Sequence, residues 1–495
     1  MALDSNLRRP RPRSACLLLL GLAFAGLLAG SGHARPGGPT FTSGVYVDQQ
    51  LAGGEPTIMA DPLHGTLIYT AHEGTTHLYR DGIVSSPWGN FDFVANYCNQ
   101  VSVWTSRDGG ANWFRDRYLG TQCPTNPAYT GFSDPDLTQD AGGRVYNTGI
   151  DLANDSLFSS IDGGVTWDRG TPNCHDGDRP WLAGGKANQV FMGTDTLEGP
   201  GSLGHEVFVS NDGGLTCSAT GIADSGSLAD GGSWTAFGKL QYDRLNGSLV
   251  EPAMFQHGDG SFGVGISTLT AGGSTFTPHE ALRGTSMYAH WPAIAIDAAG
   301  AVYLVWDTDD RQAGTTGGCN GARTPAANSI MLVSTTDLGK SWSAPVTVAH
   351  TDGVRVFWPW IAAGDAGNVS VVWYQTEAQD KLPDLDCQTG HIHVFESSLT
   401  GASGHNPQGS AVDAVGTAVH VGWVCQGGTT CVATGQDRRL GDYFTNALSA
   451  DGCVLIATGD TRLRDPLTGG PLPTARPLFI RQNGGPRLIG KGDCS

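Results

Sequence analysis

Three ionisable residues each stand directly before a proline at the head of a strand-like run: Glu55, Asp134 and Arg179. Charges at equivalent points of a repeat are costly in a dry interior without partners, which makes these three candidates for chemistry. The carboxylates suit general acid and base work, and the guanidinium suits a bound anion or a sugar hydroxyl. The segment 437-DRRLGDYF-444 adds Arg438, Arg439, Asp442 and Tyr443. A tyrosine with a carboxylate base beside it can attack an anomeric carbon while a second carboxyl protonates the leaving oxygen. On this reading the catalytic set is Tyr443, Glu55, Asp134 and Asp442, and Arg179, Arg438 and Arg439 bind substrate. The structural alternatives are an ion pair of Arg179 with Asp178 or Glu55, and an Asp442 that caps a turn.

Such residues need elements to hold them, and a repeat provides these. Seven stretches align: 55-EPTIMADPLHGTLIYTA-71, 134-DPDLTQDAGGRVYNTG-149, 179-RPWLAGGKANQVFMGT-194, 237-FGKLQYDRLNGSLVEP-252, 291-WPAIAIDAAGAVYLVW-306, 358-WPWIAAGDAGNVSVVW-373 and 443-YFTNALSADGCVLIAT-458. Each reads as two short strands joined by a glycine-containing turn. Their heads are Glu55, Asp134, Arg179, Phe237, Trp291, Trp358 and Tyr443, five of them followed by proline. A residue before proline favours extended backbone, and those five heads are expected to be extended. Trp291, Trp358 and Phe237 offer ring faces to the C–H faces of sugars; the competing reading has the tryptophans plugging a central axis. Closing the ring brings the seventh copy beside the first, and Tyr443 beside Glu55.

A second repeat follows the first. Residues 105–114 read TSRDGGANWF, 159–168 SSIDGGVTWD, 209–218 VSNDGGLTCS and 334–343 STTDLGKSWS, with Cys217 in place of the aromatic once. Aspartate accepts hydrogen bonds from its own turn, glycine supplies positive φ, and the aromatic anchors the hairpin, so these boxes are read as structural. Two repeats in fixed order without sustained helical periodicity predict an all-β fold, a β-propeller of four-stranded blades. Seven blades are favoured, or six if one copy is misaligned. The propeller is placed at residues 45–490, between a short segment 35–44 and a tail 491–495.

Residues 1–34 read as a secretory signal peptide: Arg8, Arg9, Arg11 and Arg13, the apolar run 15-ACLLLLGLAFAGLL-28, then Gly32, His33 and Ala34. The remainder is expected to be secreted, without a membrane span and monomeric, since no later run approaches the length of about 20 apolar residues that a span needs. Loss of Cys16 with the signal leaves an even number of cysteines from the eleven present, as suits an oxidising compartment. Cys98 with Cys123 and Cys425 with Cys431 are the local pairs expected. The net charge of −18 argues against nucleic acid as a partner. No cofactor is expected: the cysteines lack zinc-site spacing, and 307-DTDDRQAG-314, with Asp307, Asp309 and Asp310 as oxygen donors for calcium, lacks the glycine and closing glutamate of an EF-hand loop.

The boxes 106-SRDGGANW-113, 160-SIDGGVTW-167, 210-SNDGGLTC-217 and 335-TTDLGKSW-342 resemble the Asp-box, or BNR, repeats of the sialidase superfamily. The resemblance covers roughly residues 45–490 and implies a propeller that hydrolyses glycosidic bonds of extracellular glycans. It further implies Tyr443 and Glu55 as nucleophile pair, Asp134 or Asp442 as acid, and arginines gripping an anionic sugar. The chain departs from that family in having no Arg-Ile-Pro motif; Glu55-Pro56 stands where the first-blade arginine would be, and Arg179-Pro180 is the comparable dipeptide at a strand head. The rival expectation is a propeller that binds a glycan or a protein without cleaving it.

Overall fold

Short β-branched and aromatic runs, separated by glycine turns, pair with their sequence neighbours into seven antiparallel sheets, the blades of a propeller. The computed structural model describes residues 38–72, 100–116, 130–150, 155–168, 170–175, 177–196, 204–224, 226–285, 291–308, 327–351, 354–377, 390–404, 407–422, 424–425, 431 and 436–495. From the inside outwards, blade 1 is Gly54–Asp61, Thr66–His72, Val101–Ser106 and Phe114–Arg115, and blade 2 is Ser133–Gln139, Val145–Ile150, Asp155–Ser160 and Thr171–His175. Blade 3 is Gly177–Gly184, Val190–Thr196, Gly204–Ser210 and Ser218–Ala223. Blade 5 is Ala293–Ile296, Val302–Thr308, Ser329–Thr335 and Val346–His350. Blade 6 is Val356–Ala363, Val369–Thr376, His391–Leu399 and Ala411–Asp413, with His420–Val421 also on its third strand.

Blade 4 departs from four strands. Its inner edge is split into Ser233–Thr235 and Gln241–Asp243, both paired with Ser248–Gln256, and Gly226–Ser227 adds beyond the first piece. Phe262–Leu269 and Thr277–Arg283 complete it. Blade 7 is closed by the beginning of the chain: Thr445–Leu448, Val454–Asp460 and Arg476–Gly484 are joined by Thr40–Phe41 and Val45–Tyr46 on the last strand. The blades therefore begin before residue 45, and Cys494 in the tail is bonded to Cys453 of blade 7.

Middle strands lie between neighbouring blades and are covered on both faces, which is why Thr66–His72, Val101–Ser106 and Asp155–Ser160 are buried along their whole length despite their polar residues. The boxed turns act as clamps. Ser106 Oγ accepts the Gly110 N–H at 2.9 Å and donates to Asp108 Oδ1 at 2.8 Å, while Asp108 receives the Asn112 N–H at 2.9 Å. Trp113 donates to the Gly110 carbonyl and packs edge-on against Phe479 of blade 7 and Tyr69 of blade 1. Gly110, at φ 95°, is required there, since a Cβ would fall 2.0 Å from the Phe479 ring. Ser160 with Asp162, Ser210 with Asp212 and Thr335 with Asp337 repeat the pattern. At the third box Cys217, standing for tryptophan, is disulfide-bonded to Cys174. Cys425 and Cys431 are bonded as expected; Cys98 and Cys123 lie outside the described residues, as do residues 1–37 with the signal segment and Asp309 and Asp310 of the acidic loop.

Candidate functional site

Each inner strand enters at the end of its sheet opposite the boxed turns, because its head pairs with the tail of the second strand: Gly54 with His72, Ser133 with Ile150, Gly177 with Thr196. At four of the five heads that precede proline, the extended backbone expected there is not what forms. Glu55, Asp134, Arg179 and Trp358 take φ of 48°, 52°, 58° and 52°. The ladder register shifts at each, between Gly54 and Thr57, Ser133 and Asp136, Asp178 and Trp181, and Phe357 and Trp360. Each head is thus a bulge, where the proline's missing N–H breaks no ladder bond and the preceding side chain is re-aimed. A non-glycine residue in the left-handed region costs about 1–3 kcal/mol and persists only where its surroundings fix it.

The surroundings do so. Glu55 is fully buried; its Oε2 accepts the Asp134 N–H at 3.1 Å and the Ser133 hydroxyl at 3.2 Å and lies 3.3 Å from His72 Nε2. Gly54 leaves the room this needs, since a Cβ would meet His72 Nε2 at 2.7 Å. Arg438 pairs with Asp442 and reaches to 3.9 Å from Glu55 Oε1. Asp134 is half-buried beside this group. Burial, then the charges of Glu55 and Asp178, push its carboxyl well above the ordinary range; burial likewise raises Asp178, against the pull of Arg179. The seam of blades 7, 1 and 2 therefore holds Glu55, Asp134, Arg438 and Asp442 together, with the Asp134 carboxyl pushed toward its protonated form.

Arg179 is not paired with Glu55 or Asp178 but with Asp195 on the next strand of blade 3. Its guanidinium also lies over the Trp291 ring, 4.9 Å from the centroid. Asp195 Oδ1 is 2.8 Å from His205 Nδ1, and His205 Nε2 is 2.9 Å from Glu251 Oε1 of blade 4. Burial lowers the pKa of His205, but the Glu251 charge and the bonds to both carboxylates outweigh it and raise it to about 10. Gly193 makes room for this contact, since a Cβ would meet Glu251 Oε1 at 2.5 Å. An arginine at the mouth is thus braced by a buried acid, imidazolium and second acid.

Tyr443 sits beside Glu55 as the ring closure required, yet its phenol is buried and donates to the Pro135 carbonyl at 2.8 Å. Burial and the charges of Glu55 and Asp134 hold it protonated, well above the ordinary tyrosine range. Its ring packs against Trp181, Trp360 and Trp291 at centroid distances of 5.0, 5.8 and 6.2 Å. These four aromatics fill the axis below the charges. Below them Lys239 of blade 4 bonds Asp136 of blade 2 at 2.6 Å.

The remaining candidates are placed elsewhere. Trp291, Trp358 and Phe237 are 6%, 3% and 2% exposed, so none presents an open ring face; Trp358 packs on Phe357 and Tyr374, and Phe237 stacks on His205. Arg439 is committed to Asp437 and the Leu472 carbonyl. His72, Asp195, His205 and Glu251 were missed by sequence reasoning, and Asp178 was read only as a partner for Arg179. The only signal for them is a polar residue inside an otherwise apolar strand, and nothing in the pattern says that such residues converge.

No family model and no curated protein matches the chain. Among solved structures it is similar to a Dyadobacter fermentans protein of unknown function, at 11% identity and a TM-score of 0.43 over 90% of this chain and 99% of that one. An ulvan lyase described as a new polysaccharide lyase family aligns at 12% identity and a TM-score of 0.44, over 93% and 98% of the two chains. Trypanosoma rangeli sialidase aligns at 13% identity and a TM-score of 0.38; 89% of this chain is covered, but only 58% of that sialidase.

Proposed function

We propose that the mouth around Asp134 is a glycan-active site that cleaves a glycosidic link in an exported, acidic-sugar-containing glycan. The observation that carries this is Asp134 itself: half-buried, raised in pKa by burial and by the charges of Glu55 and Asp178, and flanked by Arg179 and Arg438. A carboxyl whose pKa is raised in this way beside fixed cations can hand its proton to a leaving oxygen while water adds at the anomeric carbon and returns a proton to the carboxylate, and the cations hold an anionic sugar. Glu55, anchored by Ser133, the Asp134 backbone and His72, fixes the acid in place, and Asp442 holds Arg438. Tyr443 remains the candidate nucleophile only if it leaves the Pro135 carbonyl and gives its proton to a carboxylate; in the geometry observed it acts as a strut. Three disulfides fit an oxidising destination for the chain.

The test is a panel of fluorogenic glycosides, neutral, uronic and sialic, given to the oxidised protein and to D134N and Y443F. Asp134→Asn is expected to abolish turnover of whichever glycoside is cleaved, whereas Tyr443→Phe lowers it less than tenfold. Turnover surviving in D134N would remove the acid from this residue, and loss in Y443F alone would return the nucleophile to Tyr443. A second reading, binding without cleavage, is favoured by the aromatic plug of Trp181, Trp291, Trp360 and Tyr443, packed on one another in the axis. No cleavage across the panel, with an acidic glycan still bound in an Arg179-dependent way, would establish it.

A further inference from the structure

At the opposite end of the blades lies a second concavity. The turns joining the first and second strands of blades 2, 3 and 4, with the outer turn of blade 4 at 271–272, enclose a cleft of about 470 Å³. It is within the size range of small-molecule sites. Ala141 in its wall lies seven positions beyond Asp134, along the inner strand and into its turn, so the cleft lies about 20 Å from the mouth and shares no residue with it.

The chemistry of its wall is unlike that of the molecule around it. The chain carries 47 acidic and 29 basic residues, yet the lining contains Lys186 and Arg244 and no carboxylate. Neither cation has an ion-pair partner among the described residues; Arg244 gives one Nη2 bond to the Gln139 carbonyl at 2.8 Å. Phe191 of blade 3 and Tyr242 of blade 4 stack at 5.8 Å with an interplanar angle of 16°, and form a flat aromatic floor, half-buried, across the blade junction. Gly185, Gly247 and Gly272, with two alanines, keep the remaining wall low. Gln189 and Asn246 stand at the rim with their amides already bonded, Gln189 to Asn211 and the Lys186 N–H, Asn246 to Asp243 and the Ser248 N–H.

We propose that this cleft binds a single saccharide ring bearing a carboxylate or sulfate. The ring's C–H face meets the Phe191 and Tyr242 platform, and the anionic substituent meets Arg244 and Lys186. The cations explain why the ligand is anionic, and the flat aromatic floor explains why it is a ring rather than a bare ion. The site requires no cleavage at the mouth and stands whether or not the reading of Asp134 holds.

Calorimetry and saturation-transfer NMR on the whole oxidised protein test this, with sodium glucuronate, glucose 6-sulfate, methyl glucoside and inorganic sulfate as probes. Glucuronate or glucose 6-sulfate is expected to bind at least tenfold more tightly than methyl glucoside and than inorganic sulfate. The exposed pair Arg244→Gln and Lys186→Gln should weaken that binding at least tenfold, whereas Arg179→Gln at the mouth leaves this component unchanged. Equal binding of methyl glucoside would overturn the role of the cations, and equal binding of inorganic sulfate would overturn the role of the ring. Binding unaltered in the double variant, or lost in R179Q instead, would place the ligand at the mouth and sink the proposal.

Discussion

Replacing His205 by glutamine tests the brace behind Arg179. In the folded protein the imidazolium sits between Asp195 and Glu251, and it holds its proton up to about pH 10. The unfolded chain releases that proton near the ordinary histidine value of about 6.5. The contribution to stability is therefore fully present below about pH 6.5 and is lost as pH rises toward 10, by at most about 1.4 kcal/mol per pH unit. Glutamine cannot carry the charge, so Glu251 loses its buried counter-charge while Asp195 keeps only Arg179, which costs about 3–5 kcal/mol. Denaturant unfolding with the disulfides intact, at pH 6.5 and 8.5, reads both numbers. The variant's deficit should be largest at pH 6.5 and shrink at pH 8.5. A deficit below about 1 kcal/mol, or one that stays constant with pH, would mean the histidine is neutral in the fold and the brace is not ionic.

Two further outcomes concern stability alone. Glu396 is fully buried, and burial raises its carboxyl to about 7 against the donated bonds of Ser398 and Ser370. Its contribution is present below about pH 4.5 and lost as pH rises through 7, so Glu396→Gln should gain on the wild type steadily across that window, a trend that thermal melts at pH 4.5, 6 and 7.5 would show or deny. Ser160→Ala removes the acceptor of the buried Gly164 N–H and should cost about 1–3 kcal/mol while leaving any glycan turnover unchanged. A loss of turnover at full stability would show that the boxes do more than clamp hairpins.

The architecture was legible because it is periodic. Seven strand pairs and four Ser/Thr-x-Asp turns carry local signals, alternation and turn chemistry, and these survive without knowledge of tertiary contacts. Closure of the ring was enough to place Tyr443 beside Glu55. Backbone at the heads was misjudged because the proline rule describes an isolated dipeptide, whereas Glu55, Asp134, Arg179 and Trp358 are held in bulges by the blades around them. The partner of Arg179 was misjudged for a related reason. Asp195 is sixteen residues away in sequence but on the adjacent strand, and only the pairing of Asp178 with Asp195 and of Asp195 with His205 brings them together. For Trp291 and Trp358 the sequence left an open ring face and a buried plug as alternatives, and their burial settles it for the second, because no sequence measure gives how wide the axis is.

Blade 7 owes two of its strands to the start of the chain, so Thr40 and Gly484 become neighbours only when both ends have arrived. A ring fastened in this way has no completed seventh sheet until residues 476–484 have been made, and until Thr40–Phe41 and Val45–Tyr46 dock the last strand's edge stays open to any other β-strand. Closing a loop of that span costs little more than closing a short one, because the penalty grows only with the logarithm of length. The fastening is thus slow to become available rather than weak once made. This ties completion of the propeller to the arrival of Arg476–Gly484.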